Sequence, residues 1–121
     1  MNSETKSIHL KTIHCYGTDE IDGDELYLKF DGERIWPVTG HYIKLVTDTK
    51  VVIEINITDM NTDELVEIEL WDYDLLSRND LLGHFRFRLD DTHHGPTYHT
   101  DLTKNIREGD RASYTLFWEV L

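Results

Sequence analysis

Apolar and polar side chains alternate along most of this chain. In residues 65–89, LVEIELWDYDLLSRNDLLGHFRFRL, Val66, Ile68 and Leu70 share one parity, and after an acidic interval Phe85, Phe87 and Leu89 share another. Period-2 alternation predicts a strand, a loop and a returning strand. The same pattern predicts strands at residues 8–14, 26–30, 33–36, 51–57 and 114–120, with shorter ones at 41–46 and 98–102. Asp31-Gly32 is a two-residue hairpin turn. Pro37 and Gly40 interrupt the pattern, because proline cannot donate to a ladder. Residues 59–61 are expected to turn the chain, and residues 90–97 to form a long surface loop. No stretch of ten residues carries a 3.6 period. The expectation is an all-β fold, an antiparallel β-sandwich of about eight strands. It should span residues 1–121 as one domain, with residues 1–6 as a flexible lead.

Parity also places Asp72 and Asp74 on the face of Val66, Ile68 and Leu70, and Asp80 returns across the turn. Three carboxylates at one end of an apolar strand pair repel one another unless a cation lies between them. Oxygen donors alone suit a hard ion such as calcium. Leu75 and Leu76 fall at the tip of this loop, an apolar pair that would enter lipid or fold back on the loop.

Twenty-four acidic against twelve basic residues give a formal charge of −12, which excludes nucleic acid as a partner and opposes an anionic membrane unless a cation intervenes. Cys15 is the single cysteine, so no disulfide framework is expected. The polar start MNSETKSIHL lacks the apolar core of a signal peptide, and no run reaches transmembrane length. A cytoplasmic setting, with peripheral membrane association, is the expectation. No catalytic residues are assigned. His14 and Cys15 are neighbours aimed to opposite faces of a strand, His93, His94 and His99 lack zinc spacing, and no nucleophile elbow or phosphate-cradling loop occurs. Arg86 and Arg88 should project from the outer face of their strand with Trp36 and Phe117 partly exposed, either as ordinary sheet-surface packing or as a contact patch for another protein.

The run WDYDLLSRNDLLGHFRF within residues 65–89 closely resembles the calcium-loop segment of C2 domains, especially those of protein kinase C and synaptotagmin. The resemblance implies a strand, an Asp-x-Asp loop, a third Asp before an apolar pair and glycine, and a further strand; Asp72, Asp74, Asp80 and Gly83 fill those positions. It also implies a second acidic loop ending at a strand that begins Asp-Pro-Tyr-Val-Lys-Leu. Here Asp19 fits by spacing, Tyr27, Leu28 and Lys29 fit by type, and either Glu25 or Asp24 stands for the second Asp. The family's Pro-x-Trp-Asn-Glu turn is missing near residues 47–53, and its lysine-rich strand is reduced to Lys44 and Lys50. The combined expectation is a calcium site built from Asp19, Asp72, Asp74 and Asp80, with Asp22, Asp24 and Glu25 contributing. Through it the domain would dock to anionic phospholipid or to a protein partner, with Leu75 and Leu76 touching the membrane. The alternative is a calcium-independent structural or adaptor subunit of a larger assembly, secreted or injected.

Overall fold

A computed structural model describes residues 4–121. Among these described residues, ten antiparallel strands follow in chain order: β1 (Thr5–Gly17), β2 (Asp24–Phe30), β3 (Glu33–Trp36), β4 (Ile43–Leu45), β5 (Thr49–Asn61), β6 (Leu65–Asp72), β7 (Asp80–Arg88), β8 (Thr97–Asp101), β9 (Thr103–Lys104) and β10 (Ser113–Val120). They form two sheets. One has the order β5-β1-β10-β8; the other runs β3-β2-β6-β7-β9, with β4 also paired to β2. The expected all-β sandwich is therefore present, and the count exceeds eight because β4 and β9 are three and two residues long.

The core is the meeting of the two inner faces. Val66, Ile68 and Leu70 of β6, Leu26 and Leu28 of β2 and Phe85 of β7 pack toward Ile8, Leu10, Ile13, Leu116 and Trp118. Each is buried because strand alternation sends it inward. Trp118 stacks between Phe87 and Tyr98, with ring centroids 4.2 and 4.8 Å away. Phe87 pairs with Val66, so this aromatic seal lies about 20 Å along β6 from Asp72.

Several elements differ from expectation. Strand β1 starts at Thr5, and Lys6 pairs with Met60 while its Nζ donates to the carbonyls of Leu89 and Thr92, so the lead expected over residues 1–6 includes strand; residues 1–3 lie outside the described residues. A register shift after Leu10, opposite Glu54 at φ +57°, moves the buried row from Ile8 and Leu10 to Ile13 and Cys15. Such a bulge lets one long strand bury residues of both parities. The same device at Asp59, φ +56°, carries β5 through residues 59–61, where a turn was expected, and the chain turns at residues 62–64 instead. Trp36 is 4% exposed and belongs to the core, whereas Phe117 is half-buried on the outer face.

Candidate metal centre

The ends of β6 and β7 and the loop from β1 to β2 meet at one end of the sandwich. Asp72 is the last residue of β6, opposite Asp80, the first of β7, and opposite Leu26 near the head of β2. Like charges directly across an antiparallel pair destabilise it. Asp72 also keeps the inward parity of Leu70, so its carboxylate is only 3% exposed. One oxygen, Oδ1, accepts the Glu25 backbone N–H at 2.8 Å. The other, Oδ2, is buried without a hydrogen-bond partner. A carboxylate oxygen in that position has a large desolvation cost.

Glu20 completes the group. Carboxylate oxygens of Glu20, Asp72 and Asp80 all lie within 4.8 Å of one another. The electrostatic response is consistent with three crowded acids. Burial, opposed by the Glu25 N–H and reinforced by Asp24 and Glu20, pushes the Asp72 pKa up to about 8. Burial first, then the neighbouring acids, also raises Glu20, Asp80 and Asp19 above the ordinary carboxylate range. Each of these shifts records unfavourable charging that either a proton or a cation would relieve.

The other expected site residues have different surroundings. Asp74 lies beyond the end of β6, so strand parity no longer aims it. Its Oδ1 accepts the Leu76 N–H at 2.9 Å and its Oδ2 the Ser77 hydroxyl at 2.7 Å, contacts that fold the loop and hold its pKa low. Asp24 is fully buried; it accepts the N–H groups of Asp19 and Glu20 at 2.9 and 3.1 Å and the Tyr114 hydroxyl at 2.6 Å. The Glu25 carboxylate faces the Tyr42 hydroxyl, raising its pKa by charge and then by hydrogen bonding. Asp22 is exposed. Asp19 lies beside the group, with Oδ1 3.4 Å from the Arg111 N–H. Of the seven expected ligands, the structure thus brings Asp72 and Asp80 together with Glu20, which the sequence did not single out. Residues 18–23 have no period, and nothing in their order distinguishes Glu20 from its acidic neighbours.

Around the group, the loop from β9 to β10 supports β7. Glu108 Oε2 accepts the Leu81 N–H at 2.6 Å, and Asn105 donates its N–H to the Leu82 carbonyl at 2.8 Å. Apolar side chains point outward from the same end: Ile21 is 99% exposed, Leu75 80% and Leu76 93%. The two leucines do not fold back on their loop. Ile21, next to Glu20, was not expected among them.

The profile of the C2 domain family matches residues 49–103. Two solved structures cover the chain much more fully. The first of the C2 domains of plant extended synaptotagmin 1 matches with a TM-score of 0.59 at 11% identity, covering 95% of this chain and 93% of that one. A second structure, described as a C2 domain, gives a TM-score of 0.59 at 12% identity over 95% of this chain and 97% of its own. This chain has the C2-domain fold. The resemblance read between residues 65 and 87 therefore extends through both sheets. No curated protein matches the sequence.

The three carboxylates fit the calcium that many C2 domains bind. The donors are all oxygen, and a buried carboxylate oxygen lacks a partner. Calcium accepts about six to eight oxygens in flexible geometry, whereas magnesium holds tightly to water and zinc favours nitrogen and sulfur.

Proposed function

We propose that this protein is a calcium-dependent docking module that binds anionic phospholipid surfaces through the loops around Asp72. The single observation that carries the reading is the buried Asp72 carboxylate, whose Oδ2 has no partner, set within 4.8 Å of two further carboxylates. Asp72, Asp80 and Glu20 would hold the ion. Calcium supplies positive charge where carboxylates crowd together, and its remaining coordination positions accept phosphate oxygens from a head group.

Charge and apolar surface then act together. At −12 the protein is repelled by an anionic bilayer, so the loops approach only once their acids are neutralised. Ile21, Leu75 and Leu76 flank the site and contribute about 1.5–3 kcal/mol each if fully buried in lipid. That surface alone is a weak anchor. Co-sedimentation with phosphatidylserine vesicles is expected in calcium and not in chelator. Leu75→Ala combined with Leu76→Ala should weaken it at least about tenfold, because two lost leucines remove more than 1.4 kcal/mol. Equal sedimentation in chelator would overturn the reading.

A calcium-independent adaptor role rests on a different surface. Phe117 stands on the outer face of the four-stranded sheet with the His14 and His99 rings 4.6 and 6.0 Å away. A half-buried phenylalanine flanked by two histidine rings on an outer sheet face would offer a partner protein an aromatic contact. Failure of both calcium and lipid binding would favour it.

A further inference from the structure

The aspartate at the head of β2 would be an obvious ligand by type, yet both its oxygens are already engaged. Asp24 Oδ2 accepts the Asp19 N–H at 2.9 Å and the Tyr114 hydroxyl at 2.6 Å, and its Oδ1 accepts the Glu20 N–H at 3.1 Å. Asp24 is 0% exposed and Tyr114 2% exposed. Tyr114 belongs to β10, in the sheet opposite β2, and its side chain crosses the core to reach this carboxylate. We propose that the buried Tyr114–Asp24 pair is the positioning device of the metal centre: it clamps the backbone of Asp19 and Glu20 and thereby sets the Glu20 carboxylate beside Asp72 and Asp80. The inference rests on the calcium reading of that centre.

Three observations converge on this role. Asp24 bonds the amides of two successive residues, which fixes the peptide plane from which the Glu20 side chain departs. Gly23 closes the same loop by donating its N–H to the Glu20 carbonyl at 3.2 Å, so both ends of the Glu20 peptide are held. A Cβ on Gly23, which has φ +109°, would lie 2.7 Å from the Leu45 carbonyl oxygen, so this turn is pressed against β4 and has one available path. The loop is therefore ordered by the protein interior, and Asp24 acts through Glu20. A supporting shell of this kind typically affects metal affinity by about 10–100-fold when removed.

The test compares Tyr114→Phe and Asp24→Asn with wild type by calcium calorimetry, chelator-state melting and amide hydrogen exchange. Tyr114→Phe keeps the ring and removes the donor. It should weaken calcium binding at least about tenfold and speed exchange at Asp19 and Glu20. Val66→Ala, in the core at the far end of β6, serves as the control. It should lower the melting temperature without changing calcium affinity. Unchanged affinity in a folded Tyr114→Phe variant overturns the inference while leaving the calcium reading intact. Absence of calcium binding in wild type overturns the calcium reading and this role with it. If neither variant folds, wild type in chelator decides: slow exchange at Asp19 and Glu20 is expected, and exchange as fast as in exposed loops refutes the clamp.

Discussion

Asp72 concentrates the conflict at this end of the molecule. Its parity buries it, one oxygen has a partner, the other has none, and two further acids lie alongside. Its folded-state pKa, about 8, lies above the ordinary value of 3.8, so between those limits the folded state binds more protons than the unfolded state. Stability from this group is fully present below about pH 4 and is lost as pH rises toward 8. Calcium-free protein should therefore melt lower at pH 8.5 than at pH 5. Asp72→Asn keeps an Oδ1 acceptor for the Glu25 N–H and removes the charge. In chelator at pH 8.5 it should raise the melting temperature by several degrees, since about 1 kcal/mol is worth roughly 3–6 °C at this length, and it should flatten the pH dependence. A lower melting temperature in Asp72→Asn would show that the carboxylate is satisfied as it stands. Glu20 and Asp74 illustrate what residue type leaves open. Both are loop acids, and backbone hydrogen bonds decide that one joins the group while the other caps its own turn.

The strands were legible wherever one face meets the core. The Asp31-Gly32 turn and Pro37 give residues 33–36 their observed bounds, and the buried row of β10 at Tyr114, Leu116, Trp118 and Val120 follows the period of two. The ends of β1 and β5 were not legible, because bulges opposite Lys11 and at Asp59 break the period while pairing continues. The short β9 escaped notice for another reason: two residues carry no pattern, and it exists because it pairs with Gly83 and His84 of β7. That contact needs glycine, since a Cβ on Gly83 would lie 2.2 Å from the Thr103 carbonyl oxygen. The following loop is equally close, with a Cβ on Gly109 falling 2.5 Å from the Leu82 carbonyl oxygen. Gly109→Ala should therefore cost about 1–3 kcal/mol of stability, as overpacking typically does. A urea midpoint equal to wild type would mean that the loop moves aside at little cost. The variant should also weaken calcium binding, because this loop carries Glu108 against the start of β7 beside Asp80.

At the scale of the molecule, two packed sheets carry a formal charge of −12, and three carboxylates meet at one end of them. The fold was readable from alternation, and the motif at residues 71–87 pointed to the end where three carboxylates meet. The make-up of the carboxylate group was less accessible, because Glu20 enters it from the loop between β1 and β2, whose Asp24 bonds Tyr114, a residue ninety positions away. One group of three carboxylates occurs among the described residues, and the proposed reading places a single ion there. The most direct measurement is isothermal titration of calcium into chelator-stripped protein at neutral pH, run in parallel on Asp72→Asn. The account predicts saturable binding of one ion in wild type and none in the variant. No binding by wild type, or identical binding by the variant, would contradict it.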